Sequence, residues 1–376
     1  MNRFKSAVCH YLKNADLLLL GLALVASCFG LVLVFSATRS FGTTKFVLVQ
    51  GSAIALGAVG FVLASLVDYE RLGTFWRVVF VFNLLLQAST YFLGESGDSG
   101  NRSWIRFGGI GIQPGEIGKT LLIFTLARHL SVLRTRINAP LSVLQLCIHV
   151  AIPAGLVYVA SEDFGMAIMY FLIFFIMLFA SGMNLGWLAG MAGTAVTGLF
   201  VFWDKLPKYQ RDRILVVFDP SINPDKAFQA ERGMMAIGSG QLSGQGLLDG
   251  RMTQGSLLPA KHTDFIFASA AEELGFIGAA AIILILTLIV VRLFVNAARS
   301  DNMQSYLLCA GMGGMIMMQT LINVGMCLGI MPVIGLTLPL FSYGGTSLAV
   351  TLASLGMAAG VRLRQTPTWL RDRQVM

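Results

Sequence analysis

Leu257-Leu-Pro-Ala-Lys-His-Thr-Asp-Phe-Ile-Phe-Ala-Ser-Ala-Ala-Glu-Glu273 stands where the polar segment 204–263 meets the longest apolar run of the chain. Pro259 fixes its own φ and lacks an N–H, so the segment cannot be helical there. Thr263 or Asp264 is then placed to cap a helix that continues through Phe265, Ile266 and Phe267. This puts His262 and Asp264 at the mouth of a helical bundle and not on its outer face. A carboxylate held beside apolar walls is either a cap or a functional group, and the rest of the chain has to decide which.

Composition sets the class. Apolar residues make up 56% of the 376 and charged residues 12%, about half the charge a soluble domain carries. The apolar runs are continuous and do not alternate, which excludes a β-barrel and implies transmembrane helices. The reading is an all-α integral membrane protein forming a single polytopic domain over 1–376. Ten transmembrane helices are expected, at about 16–36, 46–67, 75–94, 115–131, 141–160, 164–181, 183–203, 264–297, 306–330 and 346–363. The fourth is interrupted by Glu116, Lys119, Arg128 and His129, and the eighth is long enough to tilt or to begin outside the bilayer.

Orientation follows from basic residues in short loops. One side collects Arg3, Lys5, Lys13, Arg71, Arg77, Arg128, Arg134, Arg136, Arg292, Arg299, Arg362, Arg364, Arg371 and Arg373, and the other holds Arg39, Lys45, Arg102 and Arg106. Both termini are therefore expected in the cytoplasm, with the large loop 204–263, between spans seven and eight, outside. The net charge of +8 reflects this bias and the basic loop. No nucleic-acid-binding module is visible. Cys9, Cys28, Cys147, Cys309 and Cys327 lie in or near apolar runs without paired spacing, and the histidines show no metal-ligand spacing.

Along the chain, Asp16 reads as a helix cap. The stretch Asn101–Lys119 begins as an extended or re-entrant piece, and Pro114 suits the first turn of a following helix. Glu116 and Lys119, three apart, can meet on one face, with Glu116 toward the positive end of the helix dipole. In a bilayer each charge alone would cost at least about 3 kcal/mol, so the two should pair. A buried structural ion pair and a substrate-site role are both open. Ser161-Glu162-Asp163 reads as an acidic turn. Lys208–Phe218 can form an interfacial helix with a basic side, or a basic groove for an anionic, phosphate-bearing lipid. The glycine-rich run Ile237–Gly246 could offer N–H groups to a phosphate or simply turn the chain. Met331–Ser347, with two prolines and no charge, reads as a buried re-entrant segment. Its hydroxyls, including Ser342 and Tyr343, suit a sugar or headgroup, and a structural kink is equally consistent with it.

Five motifs in order carry a resemblance. They are Ile105-Arg106 with Gln113-Pro114-x-Glu116-x-x-Lys119, then Tyr209-Gln210-x-x-Arg213-Ile214, then Ala236-Ile237-Gly238-Ser239-Gly240. Leu258-Pro259-x-x-His262-Thr263-Asp264-Phe265-x-Phe267 and Ser342-Tyr343-Gly344-Gly345-x-Ser347 follow. Together they resemble the SEDS family (shape, elongation, division and sporulation; the RodA, FtsW and SpoVE group) from Asp16 to about Arg364. The resemblance implies a bacterial peptidoglycan glycosyltransferase of the cytoplasmic membrane. Such an enzyme polymerises lipid II on the outer face beside a class B penicillin-binding protein that crosslinks the product. It also implies dependence on a divalent cation (Mg or Mn), an essential aspartate at Asp264, and a cavity Glu–Lys pair at Glu116 and Lys119.

In that chemistry the acceptor's 4-hydroxyl attacks the donor's anomeric carbon and a lipid pyrophosphate leaves. A carboxylate must act as base or hold a metal, and cations must neutralise the leaving group. Asp264 is the expected base or metal-positioning group, with His262 orienting it. Lys208, Arg211, Arg213 and Lys261 are candidates for pyrophosphate, and Arg106, Ser342 and Tyr343 complete the expected substrate set. The chain departs from the usual pattern at Ala260 (commonly Glu), Gly115 (commonly Ser) and Glu162-Asp163-Phe164-Gly165 (commonly Pro-Asp-Leu-Gly). Gly335-Leu336-Thr337-Leu338-Pro339 leans toward the division type. A lipid-precursor flippase and a non-catalytic scaffold are the alternative classes.

Overall fold

The computed structural model describes residues 15–95, 101–107, 110–201 and 203–364. Arg3, Lys5, Lys13, Arg371 and Arg373, both termini, residues 96–100 and Gly108-Gly109 of the sequence argument lie outside the described residues.

The chain is mostly helical. In order, the main helices are α1 (Leu17–Thr38), α2 (Lys45–Leu66), α3 (Trp76–Leu93), α4 (Pro114–Leu133), α5 (Pro140–Ser161), α6 (Phe164–Ala180), α7 (Leu185–Val201), α8 (Lys208–Leu215), α9 (Pro224–Gly240), α10 (Ile266–Ala298), α11 (Met303–Cys327) and α12 (Gly345–Leu363). By length and composition, seven helices are fit to cross a membrane among the described residues: α1, α2, α3, α5, α10, α11 and α12. α6 and α7 are apolar but shorter. α4 is 20 residues long and carries the anticipated charges.

Among the described residues, two short strands interrupt the helices. Ile105–Phe107 (β1) and Ile110–Ile112 (β2) pair antiparallel, with Ile105 opposite Ile112. The extended reading of this stretch holds, and the all-α reading is modified locally by a two-stranded hairpin. Pro114 then opens α4 at its first turn, where its missing N–H costs nothing.

The outward faces of the helices are as apolar as the core. Leu48, Leu56, Val59 and Leu63 of α2 are exposed, as are Phe92 of α3 and Leu284 of α10. Water would penalise such faces, whereas hydrocarbon accepts them. Between helices the packing relies on small residues. A Cβ at Gly356 of α12 would stand 2.2 Å from the Phe61 carbonyl oxygen of α2, and one at Gly57 would stand 2.5 Å from Leu352. These glycines let α2 and α12 run in close contact, as small residues do in membranes.

Asp16 is more than a cap. Its fully buried carboxylate accepts from Leu19 N (3.2 Å), Arg292 Nε (2.9 and 3.0 Å), Asn296 Nδ2 (2.6 Å) and Arg362 Nη1 (3.2 Å). It ties α1, α10 and α12 together at one end of the bundle.

α10 is broken near its other end. Gly275 has φ 67 and ψ −164, an arrangement open to glycine alone. The segment after α9 inserts at this break. Gln245 N and Gly246 N donate to the Glu272 and Glu273 carbonyls (both 3.0 Å), and Phe276 N donates to the Gln241 carbonyl (2.8 Å). The glycine-rich run therefore spends these N–H groups on α10, so they are not offered to a phosphate. Its first part, through Gly240, is helical.

Candidate active site

The Pro259–Phe265 stretch forms a turn before α10 begins. Ala260 adopts φ 47, and its carbonyl accepts from Thr263 N (3.0 Å) and Phe265 N (3.1 Å). The Thr263 hydroxyl also donates to it (3.3 Å). α10 therefore starts at Ile266 with Phe265 as its N-cap and no side-chain cap bond. The expectation that Thr263 or Asp264 caps the helix is corrected: the turn closed by Ala260 O runs on through Phe265, so the helix begins one residue later.

Four successive carbonyls of this turn are held by four different partners. Lys261 O accepts from Ser269 Oγ (3.0 Å), and His262 O from Tyr343 N (2.8 Å). Thr263 O accepts from Ser342 Oγ (2.6 Å), and Asp264 O from Asn323 Nδ2 (2.8 Å). Backbone fixed at each residue is what a preorganised group requires.

Two of those partners belong to the Met331–Gly344 segment, which is irregular and buried, as its sequence implied. Val333, Ile334, Leu336, Leu338 and Phe341 point inward. The backbone is satisfied by polar groups from the helices, as irregular structure at membrane depth demands. Asn323 Nδ2 also donates to Leu336 O (2.7 Å), and Gln319 Nε2 to Thr337 O (3.1 Å). Gln50 of α2 donates to Ser342 O (3.0 Å) and accepts from Gly344 N (3.2 Å). Gly335, at φ 78, lies beside the site, and a Cβ there would stand 3.7 Å from Asp264 Oδ2.

Glu116 and Lys119 meet as their spacing predicted. Lys119 Nζ is 3.0 Å from Glu116 Oε2 and 3.1 Å from Oε1, and both residues are buried. Lys119 also donates to Gln319 Oε1 (3.1 Å), and Ser347 Oγ donates to Glu116 Oε2 (3.1 Å). Gln319 thus joins the ion pair to the Met331–Gly344 segment, whose other side is fastened to the Asp264 turn by Asn323. One continuous polar network links the two predicted centres.

His262 sits among aromatic rings, 5.5 Å from Phe41, 5.1 Å from Phe46 and 5.6 Å from Tyr343 between centroids. Tyr343 is half-buried. The Ser342 hydroxyl is spent on Thr263 O and on Leu338 N, which donates to it at 2.8 Å. Ser342 is therefore a structural link first.

The basic candidates fall into two groups. Arg106 is exposed on β1 and pairs with Glu95 at 3.7 Å. Lys208 is exposed at the start of α8, Arg211 is half-buried and 3.6 Å from Asp204, and Arg213 lies 5.9 Å over the Tyr209 ring. α8 ends at Leu215, shorter than the expected run to Phe218. Lys261 differs from all of these. It is 2% exposed, and its ammonium donates to Thr253 O, Ser40 Oγ (2.7 Å) and Ser256 Oγ (3.4 Å). An ammonium has three N–H donors, so none is left for a pyrophosphate, and that role for Lys261 is corrected.

Several organising residues escaped the sequence reading. Gln50, Gln319 and Asn323 are lone amides in apolar helices, and a buried amide in a membrane helix was the available signal. Glu272 and Glu273, both buried, hold the single helical turn Arg251–Gln254. Glu272 accepts from Met252 N (2.7 Å), Thr253 N (2.9 Å) and Thr253 Oγ1 (2.7 Å), and Glu273 from Gln254 Nε2 (2.8 Å) and Ser36 Oγ. Asp163 caps α6 through Met166 N (2.9 Å), as an acidic turn should, and accepts from Ser103 Oγ (3.1 Å). Burial pushes its carboxyl pKa up. Glu162 has φ 56, which proline cannot adopt, so the chain's departure from Pro-Asp-Leu-Gly goes with a different turn. Gly115 leaves room that Met166 occupies, 3.0 Å from where a Cβ would stand.

Among the described residues, no three His, Cys, Asp or Glu side chains come together as ligands for a metal ion. A hard divalent cation shared with substrate phosphates needs only one or two protein carboxylates. A separate apolar groove of about 520 Å³ runs between α9, α10 and α11, lined by residues such as Phe276, Ala280 and Val324. It carries no charged group.

Comparison with known proteins agrees with this arrangement. The family model for FtsW, RodA and SpoVE, described as cell cycle protein, matches residues 16–366. The chain is 32% identical to the probable peptidoglycan glycosyltransferase FtsW of Geobacter metallireducens, over 95% of this chain and 97% of that one. It is 32% identical to the peptidoglycan glycosyltransferase MrdB of Escherichia coli, over 82% and 83%. Among solved structures, one of a peptidoglycan synthase complex that coordinates polymerization and crosslinking superposes with a TM-score of 0.79 at 30% identity, covering 96% of this chain and 98% of that one. The crystal structure of Thermus thermophilus rod shape determining protein RodA gives 0.71 at 27%, covering 94% and 98%. A bundle with these helices and this polar network, matched over nearly its whole length, belongs to the FtsW, RodA and SpoVE family of cell cycle proteins, the SEDS family.

Proposed function

We infer that this multi-pass protein of the bacterial inner membrane is a peptidoglycan glycosyltransferase that builds glycan strands for the cell wall. The substrate we assign is lipid II, taken from the outer face of the membrane. The partner we assign is a class B penicillin-binding protein that crosslinks the product. The observation that carries the reading is the Asp264 carboxylate. It stands beside Gly335, on a turn whose Lys261, His262, Thr263 and Asp264 carbonyls are each held by a hydrogen bond.

In this reading Asp264 takes the proton from the acceptor's 4-hydroxyl as that oxygen attacks the donor's anomeric carbon. The bond to the pyrophosphate breaks, and Lys208, Arg211 and Arg213 on α8 receive the developing negative charge. His262, fixed among Phe41, Phe46 and Tyr343, orients the approach to Asp264. Glu116 and Lys119, buried and paired, support the cavity wall through Gln319 and the Met331–Gly344 segment. Arg106 extends the basic face from the hairpin. Asp264 is the residue that would hold a divalent cation shared with the substrate's pyrophosphate, where the ion would help neutralise the leaving group; no step is routed through it.

The topology we propose has ten crossings: the seven long helices, the shorter α6 and α7, and α4. Both termini lie in the cytoplasm and residues 204–263 lie outside. The basic bias of the loops supports it.

The test is polymerisation of labelled lipid II by the purified protein with its cognate crosslinking partner, in the presence and absence of Mg or Mn. Long glycan chains from wild type and none from Asp264→Ala are expected. Equal activity in both would remove Asp264 from the mechanism. No chains from a folded, partner-bound wild type would favour transport or scaffolding.

A further inference from the structure

Lys261 is buried in the same turn as the proposed reacting carboxylate, and its ammonium is held by groups outside that turn. Its three acceptors come from two segments distant in sequence: Ser40 after α1, and Thr253 and Ser256 in and just after the Arg251–Gln254 turn. Its remaining side lies 5.0 Å over the Phe41 ring, the ring that also packs on His262. The Arg251–Gln254 turn is in turn bolted to α10 by Glu272 and Glu273. The Lys261 carbonyl is held by Ser269, on the first turn of the same helix.

We propose that Lys261 is a positioning residue: its buried ammonium braces the Pro259–Asp264 turn against Ser40 and the Arg251–Gln254 turn, and so sets where the Asp264 carboxylate stands. The proposal rests on Asp264 being the reacting carboxylate. Within Pro259–Asp264, Lys261 is the buried side chain, while Ala260 is exposed and the others are partly exposed. Ala260, in the left-handed region, would relax if the next residue were released. Burial lowers the Lys261 pKa, while the charges of Glu273 and Glu272 act the other way. The ammonium thus stands in the field of two buried carboxylates of α10.

Two readouts test this. The first is hydrogen exchange on the full-length protein without substrate. Lys261→Met should lose protection across residues 257–268 and keep it in α2 and α12. The second is the initial rate of polymerisation with the crosslinking partner against labelled lipid II concentration. Here kcat should fall about tenfold or more, with KM within about twofold. Lys261→Arg should not restore the rate, because a planar guanidinium does not fit a site shaped for a compact ammonium. A phosphate contact would instead survive that change. The double variant Ser40→Ala with Ser256→Ala leaves every buried charge in place and should shift both readouts in the same direction by less. It is the variant to read if Lys261→Met does not fold. Unchanged exchange in these variants, a raised KM with unchanged kcat, or full activity in Lys261→Arg overturns the brace. A wild type that does not polymerise would sink the functional reading, while the exchange result would still decide the brace.

Discussion

At the scale of single residues, side chains that hold structure are separable from those that meet substrate. Asn323 grips the Asp264 carbonyl and not its carboxylate, so Asp264→Asn should keep the turn while removing its base. Polymerisation should fall by about 10²-fold to 10⁴-fold, the worth of general base catalysis, with the melting temperature in detergent unchanged. Lys119 behaves differently. Lys119→Met leaves a buried Glu116 carboxylate facing only Ser347, and breaking one side of a buried pair costs about 3–5 kcal/mol. Adding Glu116→Gln should recover most of that stability. Thermal unfolding of the two single variants and the double variant measures the coupling, and additive losses would argue against a coupled pair. The meeting of Glu116 and Lys119 was legible because three residues is one helical turn. The employment of Lys261 was not, since its acceptors lie 5, 8 and 221 residues away.

At the scale of elements, the break in α10 matters most. The apolar run through 264–297 reads as one uninterrupted helix, and Gly275 within it gives no warning. The kink exists because the segment after α9 supplies hydrogen bonds to the interrupted backbone. A Cβ at Gly275 would stand 2.3 Å from Gly244 N and 2.5 Å from Leu242 O. Gly275→Ala should therefore cost about 2 kcal/mol or more, combining a backbone clash with a φ that alanine resists. Loss of protection in residues 237–250 by hydrogen exchange would locate the damage. A neutral outcome would mean that α10 can straighten without cost. The hairpin Ile105–Phe107 and Ile110–Ile112 shows the opposite case: its alternation and glycines announced an extended piece, and a hairpin is what forms.

At the scale of the whole molecule, Asp16 fastens the bundle at the end far from Asp264. Its carboxylate is fully buried, Arg292 is nearly so, and Arg362 remains 37% exposed. Asp16→Ala should destabilise the protein by about 3 kcal/mol, the low end for a broken buried pair, because water can still reach Arg362. Asp16→Asn should retain the Leu19 cap and lose less. Polymerisation measured below the melting transition should stay near wild type in both, since neither touches the outer network.

The sequence by itself determined the membrane class, the helices and their approximate bounds, the pairing of Glu116 with Lys119, and the buried loop near Tyr343. Each of these rests on local physics: the length of apolar runs, the helical repeat, and proline's fixed φ. Tertiary structure alone decided that α10 breaks at Gly275, that Asp264 is not a cap, that Lys261 turns inward, and that Gln50, Gln319 and Asn323 join the two centres. Those outcomes depend on hydrogen-bond partners far away in the chain. A buried polar group takes whichever partner the fold brings within reach, and no local pattern records which one that will be.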